Sequence, residues 1–142
     1  MIHQASCVAI GGRALVLEGP PGSGKSTLAL ALIDRGAVLV GDDGVTLQAE
    51  RDRLIAAPPP NISGLLEIRN VGLVSLPVTR AAVALVLQLT QDAPRYVDRV
   101  ETRDMAGFAI PCLPFDPAIP AAAIRAEHAL MLHGLSPDGA LA

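Results

Sequence analysis

Residues 14–40 read ALVLEGPPGSGKSTLALALIDRGAVLV, and this stretch decides the fold class. Residues 14–17 form a short apolar run that is typical of a buried strand. Residues 27–35 place leucine and alanine at helical spacing, and Gly36 follows as a C-terminal cap. Residues 37–40 form a second apolar run. Strand, loop, helix and strand in this order predict a βαβ unit with a right-handed crossover.

The loop before the predicted helix carries the pattern GxxxxGK[ST]. Glycines allow successive backbone N–H groups to turn toward one anion, and the helix N-terminus adds its positive end. Lys25, the only lysine of the chain, supplies a charge for the β- and γ-phosphates, and Ser26 offers a hydroxyl to Mg²⁺. The pattern therefore predicts a P-loop that binds a nucleoside triphosphate with Mg²⁺. The predicted nucleotide-binding residues are Gly19, Pro20, Pro21, Gly22, Ser23, Gly24, Lys25, Ser26 and Thr27.

Two aspartates, Asp42 and Asp43, follow the second predicted strand directly. In an open parallel sheet, ligands bind beyond the carboxyl ends of the strands, so both carboxylates are expected to face the phosphates. One of them would hold Mg²⁺ or its water shell, and the other would accept a proton from an attacking hydroxyl. An Asp-Asp-Gly turn that only caps its own backbone has the same sequence. Glu67 is a further candidate for the magnesium site and Arg69 for a phosphate contact, although a solvated ion pair fits them equally.

The remaining segments complete an α/β fold with a mostly parallel sheet, an appended β-hairpin and flanking helices. The most apolar segment, residues 81–89, predicts a central strand. The other predictions, in chain order, are a polar hairpin at residues 45–49 and 54–57, no assignment at residues 65–71, a loop or exposed edge at residues 91–104, an extended segment at residues 108–117, a helix at residues 121–132 and a frayed end at residues 136–142.

Composition limits the classes of function. The 142 residues suit one domain, residues 1–142. The net charge is −3 with no basic stripe, which argues against nucleic acid as a partner. Cys7 and Cys112 lack metal-site spacing and are expected to be reduced thiols. With no secretory signal and no apolar stretch long enough to span a bilayer, we expect a cytoplasmic protein without a membrane partner.

Three sequence elements together carry a resemblance to a family. They are His3, the segment GPPGSGKSTLALALIDRGAVLVGDDGVTL and the segment LLEIRNVGL. In this combination the chain resembles the catalytic domain of the HPr kinase/phosphorylase family, in its short proteobacterial form. The P-loop alone suits many families, whereas the aspartate pair followed by the EIR element is more specific.

The resemblance implies an enzyme that uses ATP and Mg²⁺ to phosphorylate a serine of HPr, a small phosphocarrier protein, and often reverses the reaction with inorganic phosphate. Asp42 would be the general base, and Lys25 would hold phosphate. Asp43, Ser26 and Glu67 would serve magnesium. His3 would lie beside Asp42 and tune it. A homo-oligomer, often a hexamer, is implied as well.

Several positions depart from the family pattern and keep two other functions open. Thr27 replaces a common acidic residue, Asn70 replaces a glycine, and residues 113–117 stand where the family has an arginine-bearing segment. One alternative is a kinase for a small metabolite, with a lid that carries Arg95, Arg99 and Arg103. The other is a nucleotide-sensing regulatory module without catalysis.

Overall fold

The most apolar segment of the sequence lies at the centre of the fold. A computed structural model describes residues 2–61 and 63–137, and in it strand β9 spans Ala81–Leu89 with every residue buried except Gln88. The other elements are β1 Ile2–His3, β2 Ser6–Ile10, β3 Arg13–Glu18, α1 Lys25–Asp34, β4 Val38–Gly41, β5 Val45–Glu50, β6 Arg53–Ala57, β7 Leu65–Ile68, β8 Gly72–Ser75, β10 Glu101–Met105, β11 Phe108–Phe115 and α2 Ala122–His133.

Nine of the described strands form one sheet that branches at β9. One path runs β1-β5-β6-β9-β3-β2-β4, and β11 pairs with β9 and carries β10. Among the described strands, only β3 and β11 pair with β9 in parallel, and the other pairings in this sheet are antiparallel. The α/β class is confirmed, but the prediction of a mostly parallel sheet is wrong.

Short connections explain the antiparallel pairing. Strands β2 and β3 are joined only by Gly11 and Gly12, which both have positive φ, at 57° and 83°. Strands β5 and β6 are joined by Arg51 and Asp52, and Arg51 also has positive φ. Two residues can close a hairpin, whereas a parallel pair needs a crossover of a dozen or more residues. The hairpin β5–β6 is continuous with the main sheet through the pairing of β6 with β9.

Strand β2 lies between the two strands that flank helix α1. It pairs antiparallel with both β3 and β4, so β3 and β4 run in the same direction. Their carboxyl ends therefore lie at one edge of the sheet. The loop after β3 and the aspartates after β4 are delivered to that edge, as the sequence predicts.

The two helices pack on the sheet and on each other. Helix α1 buries Leu28, Ala29 and Leu32 and ends at Asp34. Gly36 terminates it as predicted, with φ of 114° and its N–H donated to the carbonyl of Ile33. Helix α2 buries small residues and Leu130. Within residues 2–61 and 63–137, neither helix is long and apolar enough to cross a membrane.

Two segments gain a definite structure that the sequence did not specify. Residues 65–71, which had no assignment, contribute β7 and the turn to β8, and the two strands form a separate antiparallel hairpin. The stretch predicted as loop or exposed edge contains β10, an edge strand paired with β11. Most of the predicted frayed end, residues 138–142, lies outside the described residues.

Candidate functional site

A cleft of about 570 Å³ opens at the edge where β3 and β4 end. Its walls are residues 21–27, Asp43 and residues 67–72. The first set is most of the glycine-rich loop (residues 19–26) with the start of α1, and the last is the tip of the hairpin β7–β8. The cleft therefore brings together three sequence segments that were singled out separately.

The backbone of the glycine-rich loop adopts a conformation that its glycines permit. Gly22 and Gly24 have positive φ, at 82° and 101°, and Ser23 donates its N–H to the carbonyl of Pro20. Helix α1 begins directly after Gly24, so its N-terminus lies at the cleft. Ser23 Oγ is buried and has no hydrogen-bond partner in the part of the chain that the structure describes. Free N–H groups at the helix start and an unsatisfied hydroxyl are features that suit an anion.

Lys25 is held by main-chain carbonyl groups of the same loop. Its Nζ donates to the carbonyl of Gly19 at 2.6 Å and to that of Pro20 at 3.4 Å. The ammonium group therefore lies across the start of the loop. Gly19 and Pro20 do not line the cleft themselves, but their carbonyls position the lysine that does.

Asp42 lies behind the cleft wall and accepts hydrogen bonds from three donors. Ser26 and Ser6 donate their hydroxyls to Oδ1 at 2.7 and 2.8 Å, and the backbone N–H of Glu67 approaches Oδ2 at 3.3 Å. The carboxylate thus joins the start of α1, strand β2 and hairpin β7–β8. Ser26 and Asp42 are brought together as the sequence predicts.

Ser6 is a residue that the sequence reasoning missed. It is fully buried, donates to Asp42 and accepts the N–H of Asp43 at 3.3 Å. A hydroxyl inside the otherwise apolar strand SCVAI was the available signal, because a buried polar group needs partners. Ser6 therefore positions both aspartates at once.

Asp43, Glu67 and Thr27 line the cleft and are exposed to solvent. Asp43 has positive φ of 63°, which aspartate tolerates better than most residues. Arg69, the proposed phosphate contact, is in the same wall. The carboxylates of Asp43 and Glu67 and the hydroxyl of Ser26 thus lie at one cleft, which is the arrangement that the predicted magnesium site needs.

His3 has a different partner from the one that the resemblance implied. Its Nε2 lies 2.5 Å from Oε2 of Glu18, and the expected contact with Asp42 is not among its hydrogen bonds in the described structure. Burial, with a smaller contribution from the nearby Arg103 guanidinium, lowers the pKa of His3 below its ordinary value. The neutral imidazole can then donate its N–H to the carboxylate. The prediction that His3 tunes Asp42 directly is corrected to a contact with Glu18.

The residues of the cleft fit a magnesium ion that is bound together with a nucleotide. Within the described segments, no group of three His, Cys, Asp or Glu side chains is arranged to hold a metal ion alone. Mg²⁺ usually keeps several waters and takes one or two carboxylates together with substrate phosphates. Ser26, Asp43 and Glu67 offer oxygen donors of that kind beside the glycine-rich loop.

Arg103 and Arg95, two of the arginines that follow β9, contact different residues and do not form one cluster. Arg103 pairs with Glu18, and Arg95 lies over the Tyr96 ring with 5.6 Å between Cζ and the centroid. The segment that replaces the arginine-bearing region is the end of β11 and the loop after it. There Arg125 stacks on Phe115 and donates to the carbonyl of Asp116 at 3.0 Å.

Comparisons with known proteins agree with this architecture. A family model described as the HPr serine kinase C-terminal domain matches residues 1–106. The chain is 41% identical to an HPr kinase/phosphorylase from Clostridium tetani over 66 residues, which are 46% of this chain and 22% of that protein. It is 35% identical to an HPr kinase/phosphorylase from Shouchella clausii over 100 residues, or 63% of this chain and 32% of that protein.

A solved structure extends the likeness to almost the whole chain. The structure of the Hpr(Ser) kinase/phosphatase from Coxiella burnetii superposes with a TM-score of 0.76 at 25% identity and covers 92% of each chain. The two curated relatives are longer proteins, and the chain spans about a third or less of their length.

Proposed function

The chain belongs to the family of HPr serine kinase C-terminal domains, and we propose that it is an ATP- and Mg²⁺-dependent kinase that phosphorylates a serine of an HPr-like phosphocarrier protein. The names of its relatives and of its structural neighbour support this substrate. The reverse reaction with inorganic phosphate is part of the proposal, because both curated relatives are named HPr kinase/phosphorylase.

One observation carries the proposal. Ser26 at the start of α1 donates a 2.7 Å hydrogen bond to Asp42 at the end of β4. This bond joins Ser26, the expected magnesium ligand, to Asp42, the expected general base. A turn aspartate that only caps its own backbone would have no reason to contact the glycine-rich loop.

Nucleotide binding would exchange the partners of two side chains. Lys25 would leave the carbonyls of Gly19 and Pro20 for phosphate oxygens. Ser26 would turn its hydroxyl oxygen from Asp42 toward the cation. Both residues already line the cleft, so the exchange needs side-chain rotation rather than movement of α1. Bound Mg²⁺ would neutralise charge on the phosphates.

Asp42 would then have the geometry of a general base. Departure of the Ser26 hydroxyl frees a lone pair on Oδ1, while Ser6 keeps the carboxylate oriented. The substrate serine oxygen would attack the γ-phosphorus, the bond from that phosphorus to the β–γ bridging oxygen would break, and the hydroxyl proton would pass to Asp42. The products are phosphoserine and ADP. Because such transition states are loose, positioning and charge neutralisation dominate over proton abstraction.

Phosphoserine formation is the direct test. The protein is incubated with Mg-ATP and the phosphocarrier proteins of its own organism, and phosphoserine is located by mass spectrometry. We expect one modified serine, and an Asp42→Asn variant should lower the rate by about 10²–10⁴-fold. Asp98→Asn is the matched control, because Asp98 is exposed and, in the described structure, has no hydrogen bond to the glycine-rich loop of the kind that joins Asp42 to Ser26.

The outcome also separates the alternatives. Transfer only to a small metabolite would replace the proposal by the metabolite kinase. Tight ATP binding without transfer to any acceptor would indicate the nucleotide-sensing module. Equal rates for Asp42→Asn and the parent would remove Asp42 as the base.

Two further predictions belong to the same proposal. We propose that the chain forms one domain, since one core of buried residues extends from β2 to α2. We also propose a homo-oligomer, for which exposed apolar side chains on hairpin β7–β8, Leu65, Val71 and Leu73, offer contact area. The family resemblance implies a hexamer as an oligomer size often found, and light scattering would measure the size.

A further inference from the structure

A cluster of charged side chains surrounds the residue that immediately precedes the glycine-rich loop. Glu18 is the last residue of β3, and its side chain is 12% exposed. Oε1 accepts a hydrogen bond from Arg103 Nη1, and Oε2 lies 2.5 Å from His3 Nε2. Each carboxylate oxygen therefore has its own partner.

The two partners come from the outer ends of two different branches of the sheet. His3 is on β1, the terminal strand of the path through β5 and β6, and Arg103 is on β10, beyond β11. Both paths start from β9, the neighbour of β3. The Glu18 carboxylate thus ties two outer strands to the strand that delivers the loop. A charge-assisted contact of this kind restricts geometry more than a single neutral hydrogen bond does.

The position of Glu18 determines the position of Gly19. The carbonyl of Gly19 holds Lys25 Nζ at 2.6 Å. A Cβ on Gly19 would collide with Ser23 Oγ and lie 3.4 Å from Leu89, so the loop closes tightly against its own first residue. A shift of Glu18 would therefore move the lysine support and the turn of the loop together.

We propose that Glu18 is a positioning residue that fixes the start of the glycine-rich loop, with Arg103 and His3 as its supports. It touches no substrate and acts through Gly19 on Lys25. The positioning itself does not depend on the proposed function. The consequence for catalysis does rest on the proposed function: if the chain is a kinase, loss of Glu18 should raise the KM for ATP and leave kcat nearly unchanged.

The single lysine provides a probe that needs no nucleotide. The rate at which acetic anhydride acetylates Lys25 in tag-free protein is measured by mass spectrometry, with the α-amino group of the same molecule as internal reference. In Glu18→Gln the Gly19 carbonyl is released, and we expect Lys25 to react several-fold faster, up to about tenfold. Glu50→Gln is the matched control, because it breaks a Glu–Arg pair with Arg80 outside the cleft.

A second pair of variants covers the case in which Glu18→Gln fails to fold. Arg103→Met removes one support and should accelerate acetylation, whereas Arg80→Met breaks the Glu50–Arg80 pair outside the cleft and should match the parent. Equal acetylation in the parent and in the variants that fold, or the same acceleration in Glu50→Gln, would overturn the proposal.

Acetylation of Lys25 also tests this inference separately from the proposed function. Mg-ATP should slow acetylation of Lys25 in the parent protein. Absence of that protection would count against the nucleotide site, while the comparison without nucleotide would still decide the role of Glu18. With ATP as the varied substrate, a roughly tenfold higher KM at unchanged kcat supports the positioning role, and an unchanged KM contradicts it.

Discussion

Lys25 is the side chain through which the phosphate site can be tested most directly. In Lys25→Ala, phosphate charge in the cleft would lose the Lys25 ammonium group. The carbonyls of Gly19 and Pro20, which that group contacts, would also lose their partner. We expect ATP affinity to fall about tenfold or more, as for a lost charged hydrogen bond. Isothermal titration calorimetry measures the Kd.

Arg51→Gln is the control for that measurement. It removes one positive charge from the exposed turn between β5 and β6, far from the cleft lining. Its ATP affinity should equal that of the parent. Unchanged affinity in Lys25→Ala would show that the glycine-rich loop does not bind the phosphates as proposed.

Ser6 is the second residue whose role can be isolated. Ser6 is fully buried, and Ser6→Ala removes one hydrogen-bond donor from Asp42 Oδ1. The same change removes the acceptor of the Asp43 N–H. We expect a loss of about 1–3 kcal/mol in the free energy of unfolding, measured by urea denaturation. Phosphoryl transfer should fall as well, because the orientation of Asp42 is less restricted.

Thr46→Val provides the comparison for Ser6→Ala. Thr46 is half-buried and donates a 3.3 Å hydrogen bond to the carbonyl of Pro58, so this variant also removes one hydroxyl from a strand. It should cost less stability and leave transfer unchanged. If the two variants behave alike, Ser6 has no special connection to the aspartates.

Residue-level prediction from the sequence worked where the signal is local. The glycine-rich loop and the aspartate pair are contiguous patterns, and the structure brings them to one cleft. The contacts of Ser6 and Glu18 join residues 36 and 85 positions apart. No local pattern encodes such a pairing, and for the same reason the partner of His3 was predicted wrongly.

At the scale of elements, the turn from β4 to β5 carries both aspartates, and its shape depends on Gly41. A Cβ at this position would collide with the carbonyl oxygen of Gly44 and lie 2.9 Å from Val45 Cγ1. Gly41→Ala therefore forces the turn to move. We expect a loss of about 1–3 kcal/mol in stability, as for overpacking, together with a drop in transfer rate. Thermal unfolding and the phosphoserine assay measure the two effects.

Gly44→Ala makes the same change three residues along the same turn. An added Cβ there meets nothing within 4 Å. Stability and transfer should both remain near those of the parent. Equal losses in the two variants would mean that the turn tolerates no side chain anywhere, and that Gly41 is not the limiting position.

Elements with a strong internal pattern were predicted closely, whereas their pairing was not. Residues 81–89 are apolar throughout except Gln88, and the predicted central strand has the same bounds as β9. Helix α1 follows from its leucine and alanine spacing. Direction of pairing depends on which strands meet. The Gly11-Gly12 turn is a local signal for the pairing of β2 with β3, but no local pattern indicates that β2 also pairs with β4.

At the scale of the whole molecule, strand β2 is held between two neighbouring strands, and this arrangement shields its thiol from reagents. Cys7 on β2 is fully buried, with β3 on one side and β4 on the other. Burial raises the pKa of its thiol far above the ordinary value. Cys112 on β11 is only half-buried, and burial raises its pKa while the Arg103 guanidinium opposes the rise.

The two thiols should therefore report different motions. With iodoacetamide at mildly alkaline pH, Cys112 should react in the native protein, whereas Cys7 should react only when β2 separates from both neighbours, which amounts to global unfolding. Urea below the unfolding midpoint should raise the logarithm of the Cys7 alkylation rate in proportion to the fall in unfolding free energy, and should change the Cys112 rate little. Mass spectrometry of the alkylated peptides measures both rates. If Cys7 reacts as fast as Cys112 without urea, β2 is not held between β3 and β4. The edge at which the glycine-rich loop and the aspartates meet would then lack its common support.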